Sequence, residues 1–350
     1  MTTNPELPPI TVLMSCYNGE TWLSESIESV LGQTFKQFEF LIIDDGSQDR
    51  SLSIIKEYEK KDPRIHVISK KNSGLPDSLN VGLQHAKGKW IARLDADDIA
   101  EPERLQKQYD FAKSNPRLIL IGSAFLETDE HGNTGKVQTF SAGHRELKQH
   151  LLNRRRFFAH SSAFYLKEIA LKAGGYRPRI KKSEDYDLWL RLSEMGKMAS
   201  IREPLIRFRS HPDQISHENA GKRQLADGYV ALTSYWIRKF NHPDPVSLEQ
   251  EKFDEFREWV VSKIKEEEIF KFREFVENIK SGIGSGDYLR VMGLMMSKPK
   301  YVWRFMHSYF NEMAIWKKNA KKWIRLQDLQ SNNRHAGPGN SDDVDNINER

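Results

Sequence analysis

The chain of 350 residues holds a single cysteine, Cys16, which excludes an internal disulfide framework and suits a reducing compartment. Cys16 follows an apolar run and reads as a small buried residue. No apolar stretch approaches the roughly 18–20 residues needed to span a bilayer. Residues 1–9 carry neither a basic n-region nor an apolar h-region, so no secretory signal is expected. The expected location is cytoplasmic, with the inner face of the cytoplasmic membrane as the alternative. No internal repeat is present. The net charge of +5 is mild, so its distribution matters more than its sign. With 38% apolar residues, the chain can bury a sizeable core in one large domain or two.

What is present is an alternation of strand and helix signals. Apolar runs at 10–14, 38–43, 65–68 and 90–94 read as strands. Between them, Leu23, Ile27, Val30 and Leu31, then Leu52, Ile55 and Tyr58, then residues 79–86 recur at helical spacing. Strands joined by crossover helices imply a mostly parallel, twisted α/β sheet of Rossmann type with flanking helices. Ligands in such sheets bind outside the carboxyl ends of the strands, where Tyr17, Asp45 and Asp97 fall. A helix over 103–113, a strand over 118–122, a hairpin or loop over 127–143, a helix over 147–152 and a short strand over 161–165 follow. Helical periodicity dominates from 225 to 326. The pattern predicts a catalytic domain over 1–217, a helical carboxyl-terminal extension over 218–330 and a disordered polar tail over 331–350.

The chemistry concentrates at two acidic places. Asp95-Ala96-Asp97-Asp98 closes the apolar run Trp90-Ile91-Ala92-Arg93-Leu94. Burying unpaired charge is costly, so something cationic should sit against these acids. Alternation puts Asp95 and Asp97 on the same side. Their spacing suits Mg²⁺ or Mn²⁺ bridging protein to pyrophosphate. A nucleophilic-aspartate phosphatase would carry its D-x-D after the first strand, and an EF-hand loop needs a central Gly and terminal Glu that are missing here. Asp98, just ahead of Glu101-Pro102-Glu103, is expected to cap the next helix.

The second place is Ser183-Glu184-Asp185-Tyr186-Asp187-Leu188-Trp189. Ser183 is a good N-cap, and acids in a first helical turn are favoured by the dipole. That account covers Glu184 and Asp187. Asp185 shares helical spacing with Leu188, Trp189 and Leu192, so it projects from the inward stripe. Two readings of Asp185 stand: a first-turn acid, or a general base.

Taken in order, these pieces resemble family 2 inverting glycosyltransferases of the GT-A fold. The match runs through Thr11-Val12-Leu13-Met14-Ser15-Cys16-Tyr17-Asn18, Ser26-Ile27-Glu28-Ser29-Val30-Leu31-Gly32-Gln33-Thr34 and Ile42-Ile43-Asp44-Asp45-Gly46-Ser47. It continues through Asn72-Ser73-Gly74-Leu75, Asn80, Ala86-Lys87-Gly88, Leu94-Asp95-Ala96-Asp97-Asp98, Gly174-Gly175-Tyr176, Glu184-Asp185-Tyr186-Asp187 and Arg209-Ser210-His211. The resemblance implies a metal-dependent, hexosyltransferase-like enzyme moving a sugar from a nucleotide-sugar, with UDP the usual nucleotide, to a hydroxyl of a glycan or lipid-linked acceptor. It implies cell-envelope polysaccharide synthesis as the setting. By resemblance, Ser15, Tyr17, Asp45, Asn72, Asn80 and Asp95 bind the donor. Asp97 and His211 hold Mn²⁺ or Mg²⁺, and Asp185 is the base with Glu184 beside it. A nucleotidyltransferase is the competing enzyme, but residues 15–20 lack its basic Gly-rich loop. A catalytically silent sugar-nucleotide scaffold is the competing binder, against which the presence of Asp97 and Asp185 speaks.

Beyond 217 the resemblance carries nothing. Residues 287–326 interleave aromatics (Tyr288, Tyr301, Trp303, Phe305, Tyr309, Phe310, Trp316, Trp323) with lysines and arginines. Two readings stand here also: a surface helix on an anionic membrane, or a helical subdomain packing its aromatic stripe on the catalytic core. No nucleic-acid-binding module is recognised.

Overall fold

A computed structural model describes residues 7–140, 142–155, 157–211, 219–267, 269, 295–298 and 312–335. The chain divides into two compact units, Met1–Leu232 and Thr233–Arg350.

The first unit opens with β1 (Ile10–Cys16), α1 (Leu23–Leu31), β2 (Phe38–Asp44), α2 (Ser51–Lys61), β3 (Ile65–Ser69), α3 (Leu75–His85) and β4 (Trp90–Arg93). These strands pair in parallel in the order β3-β2-β1-β4. Every residue of β2 is buried, as expected of a strand covered on both faces. Leu23, Ile27 and Val30 form the buried stripe of α1. α3 lies close on β1 because Gly82 presents no side chain: a Cβ there would come within 2.2 Å of Leu13 Cδ1.

The second half of the sheet is built differently. β5 (Ile99–Ala100), α4 (Arg104–Ser114), β6 (Leu118–Asp129), β7 (Thr134–Gln138), α5 (His144–Leu152), β8 (Phe164–Leu166), α6 (Lys167–Lys172), α7 (Glu184–Met195) and β9 (Lys197–Ser210) follow. β8 enters antiparallel between β4 and β6, and Trp90 stacks on Phe164 across that junction at 4.8 Å. β9 runs parallel to β6, and β7 folds back on β6 as the expected hairpin. The expected strand over 161–165 is a 3₁₀ turn at His160–Ser162 followed by β8. Residues 197–210, to which the sequence pattern assigned no strand, form the longest one described, 14 residues.

α8 (Asn219–Lys239) contains the point after Leu232 at which the two compact units divide. In the second unit, α9 (Gln250–Glu266) buries Phe253, Phe256, Val260 and Ile264. The last helix, α10 (Glu312–His335), continues five residues into the stretch expected to be disordered; residues 336–350 lie outside the described residues. Trp316 and Trp323 are buried, and Trp323 meets Phe256 and Trp259, each at 5.2 Å between ring centroids. Both aromatics pack inward, Trp323 against α9 of its own unit. Tyr288, Tyr301, Trp303, Phe305, Tyr309 and Phe310 lie outside the described residues. Among the described residues no helix is long and apolar enough to cross a membrane.

Candidate active site

Register brings the chemistry to one edge. Cys16 pairs with Asp44, and Leu13 with both Leu41 and Arg93, so β1 and β2 end together and β4 ends opposite Leu13, all pointing their carboxyl ends to one edge. Ser15 is half-buried at the end of β1, and Tyr17 just beyond it is 50% exposed. The Cys16 thiol is pushed up to about 11 by burial and stays neutral.

Asp44 and Asp45 follow one another with different tasks. Asp44 accepts from Ser69 Oγ at 2.8 Å and the Ser47 amide at 3.2 Å, fastening the turn after β2. Asp45 pairs with Lys70 Nζ and accepts from the amides of Ser73 at 3.0 Å and Gly74 at 2.9 Å. Burial alone would raise its pKa, but Lys70 and the two amides lower it on balance. A carboxylate has about four acceptor sites, so roughly one remains for a ligand. Gly46 makes this possible: its φ is +73°, and a Cβ would lie 2.8 Å from the Asn72 amide nitrogen. Asn72 itself is exposed beside Asp45's loop. Asn80 is engaged elsewhere: its amide donates to the Tyr176 carbonyl at 2.7 Å and accepts from the Tyr176 amide at 2.8 Å. The geometry thus makes Asn80 the anchor of the Gly174-Gly175-Tyr176 turn.

Past β4, ligand atoms of Asp95, Asp97 and Asp98 lie within 4.8 Å of one another. The expected cation is Arg93, fully buried and ion-paired to Asp95. Ser161 Oγ donates to Asp95 Oδ2 at 2.7 Å and accepts from the Asp95 amide at 3.1 Å. His211 Nε2 sits 2.9 Å from Asp97 Oδ2, so the two residues assigned to metal meet. Burial, then the charge of Asp95, raises the Asp97 pKa against the opposing pull of His211. Asp98 is held well above the usual range by burial, Asp97 and Asp95.

Asp98 does not cap a helix. Helix α4 begins at Arg104 with Glu103 at its N-cap, while Asp98 accepts from the Arg209 amide at 2.9 Å. The acid is buried beneath the β9 strand end, because Arg209 also donates from Nε to the Asp97 carbonyl at 3.0 Å and stacks over Trp22 at 4.3 Å. Asp98 Oδ2 and His211 Nδ1 are buried without a partner among the described atoms. Three crowded carboxylates, one oxygen of them unsatisfied, with an imidazole adjoining, fit a divalent cation and could hold one.

Across the edge stands the start of α7. Ser183 occupies the N-cap position, but its hydroxyl donates to the Gln224 carbonyl at 2.9 Å instead of capping. Glu184 is 7% exposed, and burial followed by the Asp185 charge pushes it up to about 8. Asp185 is also raised, by burial first. Its Oδ1 accepts from the Tyr186 amide at 2.6 Å. Dipole stabilisation does not describe Glu184, which is buried beside His160 at 4.0 Å. Nor does it describe Asp187, which is held by Arg177 and Arg191 and driven far below the carboxylate range despite burial. The charges of Asp95 and Arg93 reach both Glu184 and Asp185. The acid cluster and the α7 carboxyls therefore share one electrostatic neighbourhood.

Arg93, Lys70, His160, Ser161 and Arg209 escaped the sequence reading as site residues. Two carried a signal: Arg93, an arginine inside an apolar run two residues ahead of an acid, and Arg209, which stands in the Arg209-Ser210-His211 motif.

A parallel βαβ half with carboxylate-tipped strands, continued into a mixed half that carries a second acid pair, is a GT-A-like architecture. A family model for glycosyl transferase family 2 matches residues 11–175. The uncharacterized glycosyltransferase MJ1057 of Methanocaldococcus jannaschii is 35% identical over 237 residues, 66% of this chain and 81% of its own. The O-antigen biosynthesis glycosyltransferase WbnJ of Escherichia coli is 30% identical over 240 residues, 67% of this chain and 89% of its own. Among solved structures, residues 1–349 of TarS from S. aureus in complex with UDP-GlcNAc share the fold. They do so at TM-score 0.55 and 14% identity, over 91% of this chain and 92% of that one. The chain belongs to glycosyltransferase family 2 and is a glycosyltransferase.

Proposed function

We propose that the protein transfers a sugar from a UDP-sugar to a hydroxyl of a glycan or lipid-linked acceptor, with inversion, in cell-envelope polysaccharide synthesis. The observation that supports this reading is the gathering of Asp95, Asp97, Asp98 and His211 past β4, with the charge of Asp95 felt at Glu184 and Asp185 on α7, since donor and base must serve one carbon. Ser15, Tyr17, Asp45, Asn72 and Asp95 bind the donor, and Asn80 supports them through the Tyr176 turn. Asp97 with His211 would hold Mn²⁺ or Mg²⁺, whose chemistry is to offset charge on the departing diphosphate. Asp185 takes the acceptor proton as that oxygen bonds to the anomeric carbon, and the sugar–phosphate bond breaks with its electron pair on the diphosphate. A carboxyl pKa raised toward neutrality makes a stronger base. The setting is supported by the O-antigen role of one relative and UDP-GlcNAc in one structural neighbour. Exposed Lys318, Lys322 and Arg325 on α10 support contact with an anionic membrane surface.

Thermal shift against a panel of nucleotide sugars, with and without Mn²⁺, identifies the donor through the stabilisation that binding confers. With that donor, Asp185→Asn should lower turnover by about 10²–10⁴-fold while calorimetric donor affinity stays near the parent's. Asp97→Ala should weaken metal-dependent donor binding instead. Near-normal turnover by Asp185→Asn would falsify the base assignment.

A further inference from the structure

We propose that Arg93 is a positioning residue for the transfer step: one buried guanidinium shared between the donor-side acid Asp95 and the acceptor-side carboxyl pair Glu184–Asp185. The proposal rests on Asp185 being the base.

The placement is unusual for an arginine. It is the last residue of β4, in a strand otherwise made of Trp90, Ile91 and Ala92, and its side chain is 1% exposed against 32% for its partner Asp95. One edge of the guanidinium is spent. Nη1 pairs with Asp95 Oδ2 and donates to Ser161 Oγ at 3.2 Å. The other edge is not: Nε and Nη2 are buried without a hydrogen-bond acceptor. Each such orphan costs stability, and a buried ion pair rarely exceeds in stability the apolar residues that could replace it. Fold stability alone therefore gives little reason for an arginine here. Its charge has a reason if it acts on what lies beyond the spent edge.

The groups around Asp185 come from several elements. From its own helix comes Glu184, buried and pushed up to about 8 by burial and by the Asp185 charge. From the turn after α5, Arg154 lies over the rings of Tyr186 and Tyr229 at 4.9 and 4.6 Å, and from α8 Asp227 accepts from the Lys182 amide at 3.2 Å. From the loop after β4 comes Asp95, which repels the Asp185 charge, with Asp97 and Asp98 crowding behind it. From the turn before β8 comes His160, kept neutral by burial and by Arg93. Its Nε2 meets the Tyr176 hydroxyl at 2.9 Å, which meets Tyr165 at 3.0 Å, and burial keeps both phenols protonated. On the other side of α7, Arg177 and Arg191 are committed to Asp187. Arg93 donates to Ser161, whose neighbour His160 lies 4.0 Å from Glu184, and the Arg93 charge favours the ionised form of both Glu184 and Asp185. It offsets the repulsion that the donor-side acids impose on the base.

The test reads the carboxyls directly and needs no substrate. Side-chain carboxyl ¹³C shifts are followed from pH 4 to 10 in the parent chain and in Arg93→Met, Arg93→Gln and Arg93→Lys, with Asp185→Asn and Glu184→Gln assigning the resonances. Thermal melts check folding. In whichever neutral variant folds, the Asp185 midpoint should rise by about one pH unit or more, the scale of losing a nearby opposite charge. In Arg93→Lys it should stay closer to the parent's. An unmoved midpoint in a folded neutral variant overturns the proposal. So does failure of both neutral variants to fold while Arg93→Lys folds normally, since the arginine then serves the fold. If Asp185→Asn loses transfer and the midpoint does not move, this proposal fails alone. If Asp185→Asn retains transfer, the base reading fails while the measured midpoints stand.

Discussion

The donor half of the sheet and the half that carries α7 finish their charges in opposite ways. In the donor half, Asp45 is closed in by Lys70 and two amides, and Asp44 by Ser69 and Ser47. All of those partners come from residues 44–74, a contiguous stretch that folds as βαβ units. In the other half, Glu184 is buried and Asp185 half-buried, both with their charge left largely open, and their environment comes from β4, β8 and the loops around residues 160 and 176. A saturated carboxylate is a fixed acceptor that holds a ligand in one place. An unsaturated buried one has a proton affinity that its neighbours set. Binding asks for the first property and proton transfer for the second.

Asp187 provides the sharpest contrast, because it lies on the same helical turn as the open pair yet is saturated by Arg177 and Arg191. If it belongs with the fixed carboxylates, Asp187→Asn should cost about 3–5 kcal/mol, the usual result of stranding buried charge. Urea unfolding measures this, and a loss below about 1 kcal/mol would erase the contrast. Asp45→Asn should show its largest effect in binding. Removing a charged acceptor is worth about 1.5–3 kcal/mol, so donor affinity should fall roughly tenfold to a hundredfold with turnover at saturation little changed. A fall in saturated turnover with affinity intact would move Asp45 out of the binding set.

The same division governs how much could be read from the residues. β1 to β4 announce themselves as apolar runs ending in acids, and their parallel order follows from local crossovers, so the edge bearing Ser15, Tyr17, Asp45 and Asp97 was legible. β9 was not. Arg202, Glu203 and Pro204 interrupt its alternation, and its pairing with β6 shifts register around Ser123 and Ala124. A strand that pairs through bulges has no clean period to detect. Asp98 was misread for a related reason. Local sequence offered a helix to cap, whereas its partner, the Arg209 amide, lies 111 residues away. Arg93, His160 and Ser161 meet only because β8 inserts antiparallel beside β4, and no motif spacing encodes that. On α7, helical spacing put Asp185 on the inward face and left Glu184 and Asp187 as first-turn acids, whereas Glu184 and Asp187 are buried and Asp185 is half-buried; the arginines and the histidine that hold them come from other segments.

The smallest expected effect tests the open side through stability. Glu184 has a folded-state pKa of about 8 against an ordinary 4.5, so between those values the folded chain holds a proton that the unfolded chain releases. Stability is governed by the difference in bound protons. The contribution of Glu184 is therefore full below about pH 4.5 and declines as pH rises through the window up to about 8. Glu184→Gln cannot ionise and should escape that decline. Parent and variant should unfold at similar urea concentrations near pH 5, and the variant should be the more stable at pH 8.5. One unit of pKa separation corresponds to about 1.4 kcal/mol, and sharing of the proton with Asp185 reduces what one residue contributes, so a gap of at least about 1 kcal/mol is expected. Two pH profiles that run parallel would mean that Glu184 is as well compensated as Asp45, and the acceptor half would then lose the property that sets it apart.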